Sequence, residues 1–98
     1  MIRLIKVTGD SLVPLVQEGD FVVIFKIPFF VRFRSGDMVV FRHPEHGTLI
    51  KRVEWVTHDG HELYVTGLHP ESTDSRQFGL VPRDTVVGKV IWHIRKQA

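Results

Sequence analysis

Apolar residues in this chain come in short runs, and each run is closed by turn formers. The runs are IRLIKV (2–7), FVVIFKI (21–27), DMVVFR (37–42), TLIKRVEWV (48–56), HELYVT (61–66) and TVVGKVIWHI (85–94). They are rich in Val, Ile, Phe and Trp, whose branched or planar side chains suit a pleated surface. Gly9-Asp10, Gly19-Asp20, Gly36-Asp37, Asp59-Gly60 and Gly67 punctuate them, and such residues reverse the chain at little steric cost. Short strands at this spacing predict an all-β fold, a small closed or partly open barrel or sandwich. Helical period is confined to one turn within residues 11–18. The recurring Gly-Asp marks turns into strands and not an internal repeat, because the segments that follow each pair differ in length and pattern.

One strand carries a chemical signal. In TLIKRVEWVT the alternation of side chains puts Leu49, Lys51, Val53 and Trp55 on one face and Ile50, Arg52 and Glu54 on the other. Lys51 is the charged member of the apolar face. Either its methylenes lie on the core while the ammonium reaches water, or the amine is held where desolvation favours its neutral form. In the second case it can act as a general base.

Size and composition narrow the setting. A chain of 98 residues with 43% hydrophobic content can bury one modest core and not two, so residues 1–98 read as a single domain. There is no cysteine, so neither a disulfide framework nor a thiol nucleophile is available, and covalent chemistry falls to oxygen or nitrogen. Thirteen basic residues against eleven acidic ones leave a net charge of +2. The basic residues are scattered (Arg3, Lys6, Lys26, Arg32, Arg34, Arg52) apart from a short tail, His93 to Lys96. Nucleic-acid binding asks for a clustered basic face, so no nucleic-acid partner is expected. The longest apolar stretch, FVVIFKIPFFV, is broken by Lys26 and Pro28 and falls short of the roughly 20 residues of a membrane helix. MIRLIKV lacks the apolar core and cleavage site of a secretory signal. A cytoplasmic protein without an integral membrane anchor is expected.

Candidate chemistry begins at VTGDSLVPL (7–15), where Ser11 follows Gly-Asp and precedes Pro14. The serine either turns the chain or presents a hydroxyl that a neighbouring base could activate. His43, His46, His58 and His61 lie in HPEH and HDGH. Their spacing invites a metal, but these stretches read as turns and no thiolate supports them, so loop histidines are expected and no metal or cofactor is assigned. GLHPESTDSRQFGLVP (67–82) packs Ser72, Thr73, Asp74, Ser75 and Arg76 between two glycines. It is either a turn bonded to nearby amides or a shell that holds a catalytic lysine in place.

Three pieces in order, Gly-Asp-Ser-Leu-x-Pro, then Gly-Asp-Met-Val-Val-Phe followed by Ile-Lys-Arg-Val, then Ser-x-Asp-Ser-Arg-x-x-Gly, resemble the catalytic core of the signal peptidase I family. That family shares its β fold with the self-cleaving LexA-type repressors, and the likeness runs from about Val7 to Val90. It implies a serine endopeptidase in which Ser11 is the nucleophile and Lys51 the general base. It further implies that Ser72 orients the lysine, that Asp74 and Arg76 stabilise the adjoining loop, and that the Ser11 main-chain N–H supplies one oxyanion donor. Gly36 and Asp37 fall in the turn before the strand MVVF and read as structural.

The departures shape the expected substrate. Leu12 replaces the family's usual Met, a volume-conserving swap. Gly9 stands where some members carry Ser or Thr for the oxyanion hole and others carry Gly. The last motif opens Gly-Leu-His-Pro-Glu where the family often has Gly-Asp-Asn. The membrane anchor of ordinary signal peptidases is missing, which turns the expectation away from bulk secretory preproteins. Soluble relatives of this size include proteases that remove the leader from nickel-containing superoxide dismutase precursors. The resemblance thus implies a protein precursor, bound as an extended peptide, that loses its leader. The alternative is a non-catalytic β module that binds a peptide, a partner or a membrane surface through IPFFVRF (27–33). Those aromatics are expected in the core or over a sheet edge, as apolar residues usually are. A self-cleaving repressor needs a DNA-binding domain ahead of the catalytic one, and six residues precede Val7, so that role is not expected.

Overall fold

The computed structural model of the chain describes residues 2–6, 19–67 and 73–95. Seven strands are formed: β1 (Ile2–Lys6), β2 (Phe21–Phe25), β3 (Met38–His43), β4 (Gly47–Val56), β5 (Glu62–Thr66), β6 (Val81–Pro82) and β7 (Val86–Ile94). All pair antiparallel in one open sheet of order β1-β2-β7-β3-β4-β5-β6, with β1 and β6 as its edges. The all-β architecture is the one expected, and each apolar run holds one strand; only the two-residue β6 lacks a run of its own. A single helical turn, α1 (Ser75–Phe78), and a 3-10 turn at Arg83–Thr85 complete the described elements. The strand rhythm predicts neither, and the helical turn it allows, at 11–18, lies outside the described residues.

β3 organises the core. Its Val39, Val40 and Phe41 are all buried, although alternation sends Val40 to one side and its two neighbours to the other. On the first side Val40 meets Val22 and Ile24 of β2 and Ile50 of β4. On the second, Val39 and Phe41 join Phe33, Val53, Leu63, Val65 and Val81. A strand covered on both faces reads as a continuous apolar run, which is why MVVF has no polar member.

Three register shifts coil the sheet, in β2 and β3 against β7 and in β4 against β5. A bulge inserts one residue, bends its strand and increases the local twist. The β4 bulge overturns one expectation. It leaves Glu54 out of the pairing and turns Trp55 away from the face of Lys51 and Val53, while Val56 takes the inward place against the second cluster. Trp55 is exposed and stacks on its cross-strand partner Tyr64, with ring centroids 5.0 Å apart and planes 7° from parallel. At the β2–β7 contact the strands approach closely. A Cβ on Gly88 would lie 3.0 Å from the Phe25 carbonyl oxygen.

The segment between β2 and β3 brings a second correction. Phe33 is buried as expected, but Phe29 and Phe30 are 90% and 75% exposed. The reason is a tight turn: the Val31 N–H donates to the Pro28 carbonyl at 3.0 Å, placing both phenylalanines at its corners. The turn is held from below. The Arg83 guanidinium donates to the Pro28 carbonyl at 2.8 Å and lies 4.8 Å from the Phe33 ring centroid. Arg32 donates to the carbonyls of Thr57 and His58 at 3.1 and 2.6 Å. With its backbone fixed on the sheet, the tip points outward, and the two rings meet edge to face at 5.6 Å.

Candidate active site

Lys51 sits in the middle of β4, directly opposite Val39 of β3. Its side chain is 2% exposed, so of the two positions open to it from the sequence the structure takes the buried one. The stem does not snorkel. It shares its face with Leu49 and Val53, between strands whose inward side chains are Val39, Phe41, Leu63 and Val65.

Asp74 and Arg76 are brought together by α1. Asp74 is the N-cap of that turn and is fully buried. Its Oδ1 accepts from the Arg76 N–H and from Arg76 Nε, both at 3.0 Å, and its Oδ2 accepts from Arg76 Nη2 and the Gly67 N–H, both at 2.9 Å. The Asp74 N–H donates in return to Gln77 Oε1 at 3.0 Å, completing a capping box. Burial pushes the Asp74 carboxyl up, but the hydrogen bonds from Arg76 and Gly67, with the Arg76 charge, outweigh it and hold the group below its ordinary value. Arg76 is raised in turn, chiefly by its hydrogen bonds to Asp74.

These contacts answer a need of the sheet. β6 pairs with β5 only at Glu62 and Leu63, which leaves the outer edge of β5 without a strand beyond that point among the described residues. The Val65 N–H there donates to the buried Ser75 Oγ at 2.9 Å, and the Gly67 N–H to Asp74. Two side chains thus stand in for a missing strand. The D-x-x-Q pattern of Asp74 and Gln77 was the sequence signal for the cap; nothing in the sequence marked Ser75 as the acceptor for β5.

Beside the first core cluster lies a groove of about 380 Å³ between β1 and β4. Arg3, Leu4, Ile5 and Lys6 of β1 form one wall, and Thr48, Leu49 and Ile50, the residues that lead into Lys51, form the other. Val22, Val40 and Val87 line its floor. Sequence reasoning missed this groove, since its walls come from strands with three others between them in the sheet order.

Ser11 and Ser72 lie outside the described residues, as does Gly9. The histidine pairs occupy the turns on either side of β4. The His43 and His46 rings lie 4.8 Å apart and tilted by 40°, with His43 against Phe78 at 4.7 Å, and the His61 N–H donates to Asp59 Oδ1 at 3.0 Å. Among the described residues no three His, Asp or Glu side chains converge to hold a metal ion. No helix among them is long and apolar enough to cross a membrane.

An open, bulged antiparallel sheet with a buried lysine agrees with the comparison to known families. The profile described as Peptidase S24-like matches residues 2–91. The chain belongs to that family and is therefore placed among peptidases, within the LexA and signal peptidase superfamily. Comparison with curated proteins gives no significant match.

Proposed function

We propose that this protein is a serine endopeptidase in which Ser11 attacks the substrate and Lys51 accepts its proton. The observation that carries the reading is the burial of Lys51 in the sheet of a chain that belongs to a peptidase family. Taking an ammonium out of water disfavours its charged form, and a neutral amine is what a serine hydroxyl needs as its base. Ser11 follows the end of β1 by five residues, a span of at most about 17 Å of extended chain. β1 and the residues preceding Lys51 line one groove, while the Lys51 side chain alternates to the other face of β4; the pairing of Ser11 with Lys51 comes from the resemblance.

In this reading the Ser11 oxygen adds to the scissile carbonyl as its proton passes to the Lys51 amine. The developing oxyanion rests on the Ser11 N–H. The Lys51 ammonium returns the proton to the leaving amine, and water then releases the acyl group by the same base. Ser72 orients the lysine, and the Asp74–Arg76 cap holds the loop that carries Ser72. The substrate lies extended in the groove against the free edge of β1, as strand-adding peptides do. A precursor losing its leader fits this geometry, and the nickel-containing superoxide dismutase precursor is the specific candidate.

A serine-reactive fluorophosphonate probe tests the mechanism. It labels the wild type and not Ser11→Ala, labelling is lost in Lys51→Met, and turnover rises with pH between 6 and 10. Full labelling of Lys51→Met, or a rate flat across that range, removes the assignment. Co-expression with the dismutase precursor tests the substrate: the leader is lost with the wild type and retained with Ser11→Ala, and an intact precursor in both removes that candidate.

The alternative, a binding module acting through residues 27–33, is favoured by one observation, the exposed pair Phe29 and Phe30. Its membrane version predicts flotation of the protein with vesicles and loss of flotation in Phe29→Ser/Phe30→Ser. Absence of flotation excludes it.

A further inference from the structure

The groove between β1 and β4 runs into a smaller hollow, since Arg3 and Val87 line both. Four cationic side chains stand along the two: Arg3, Lys6 and Arg42 in the first, and Lys26 beside Arg3 in the second. No carboxylate lines either among the described residues. The chain as a whole is almost balanced in charge, so the segregation is local. Strand alternation shows that it is ordered. Arg3 shares a face of β1 with Ile5, Lys26 lies two residues after Ile24, and Arg42 two residues after Val40. Ile5, Ile24 and Val40 all belong to the first core cluster, so three cations from three segments rise over one apolar floor. The four are exposed, and the ion pairs among the described residues, Arg76–Asp74, Lys89–Asp37 and His93–Asp20, use none of them.

We infer that this groove selects extended peptides bearing Asp or Glu, with Arg3, Lys26 and Arg42 reading the carboxylates while the apolar floor receives the alternate side chains. The inference rests on the groove being the substrate cleft proposed above. A peptide fits it better than other anions for two reasons. β1 is an edge strand whose outer side can pair with an added backbone. The described lining contains no aromatic side chain on which a nucleobase would stack.

The test separates binding from cleavage. Ser11→Ala is titrated with two rhodamine-labelled twelve-residue peptides that differ only in three Glu-to-Gln changes. Exposed ion pairs contribute a few tenths of a kcal/mol each, so the Glu peptide binds about tenfold more tightly at low salt. That preference shrinks toward about 0.5 M salt. Adding Arg3→Gln and Arg42→Gln abolishes it, whereas Lys89→Gln, a cation outside the groove, preserves it. Equal affinity for the two peptides, a preference that survives Arg3→Gln/Arg42→Gln, or tighter binding of an oligodeoxythymidylate of the same length each overturns the inference. Wild-type cleavage of both peptides at one rate removes the acidic selectivity and leaves the peptidase standing. Glu-selective binding without cleavage does the reverse.

Discussion

Between β2 and β3 the chain carries Phe29 and Phe30 into solvent, whereas between β5 and β6 it buries Asp74 and Ser75. Composition alone would assign the two loops the opposite places. The difference lies in backbone demand. At the β5 edge the amides of Val65 and Gly67 have no strand to bond among the described residues, and leaving such a buried donor unmet costs about 1–3 kcal/mol. Ser75 and Asp74 meet that need and are drawn inside by it. The turn at Pro28–Val31 meets its own, through the Val31 N–H and the Arg83 guanidinium. Burying a phenylalanine is worth a comparable ~1.5–3 kcal/mol, but only where the backbone lets the ring reach a core. Local hydrogen bonding therefore decides which residues are inside when hydrophobicity and backbone satisfaction conflict.

Removing the buried carboxylate breaks this comparison most severely. Asp74→Ala strips acceptors from Gly67 and Arg76 together, and is expected to cost about 3 kcal/mol, a breach of cap and ion pair combined. Thermal unfolding should fall by more than about 10 °C in a domain of this size; a shift of only a degree or two would mean that the loop is held elsewhere. Next comes Ser75→Ala, which leaves the Val65 N–H without its acceptor and should cost about 1–2 kcal/mol by urea denaturation. Ser75→Thr, which keeps the hydroxyl, should recover part of that.

The acid limb of stability sharpens the same point. Asp74 has a folded pKa below its unfolded value, so the ionised carboxylate stabilises the fold above an ordinary carboxylate pKa of about 4 and loses that contribution as pH falls through and below it. Wild-type stability should therefore decline below about pH 4 more steeply than that of Asp74→Asn. Parallel curves would place the acid sensitivity in other carboxylates. The smallest effect belongs to the other loop. Phe29→Ser/Phe30→Ser should alter stability by no more than about 0.5 kcal/mol, as for surface changes generally, and a larger loss would show that the tip contributes to packing.

How far the sequence foretold these features follows the range of the interactions. The strands were legible because alternation is written into neighbouring residues. Trp55 was misplaced because a bulge adds one residue without disturbing the apolar pattern, and only pairing with β5 reveals it. The burial of Lys51 could not be chosen over snorkelling from β4 alone, since it depends on β3 and β5 packing over it. Asp74 and Arg76 lie two residues apart, so a turn bonded to nearby amides was readable, but the helical turn that Asp74 caps was not. Arg3, Lys26 and Arg42 come from three separate segments, so their convergence was not.

The place of β7 in the sheet carries a consequence for the birth of the protein. Among the described strands β7 alone touches both β2 and β3. A nascent chain that has emerged only as far as residue 85 can pair β1 with β2 and fold β3 to β6 together, but among the described strands it has none to hydrogen-bond the two pieces into one sheet. The groove takes Val22 from one and Val40 and Ile50 from the other, so it comes into being only when β7 is synthesised and inserted. Contacts so distant in sequence form late. A ribosome-bound or prematurely ended copy would offer chaperones its unpaired edges and would have no cleft to offer a substrate.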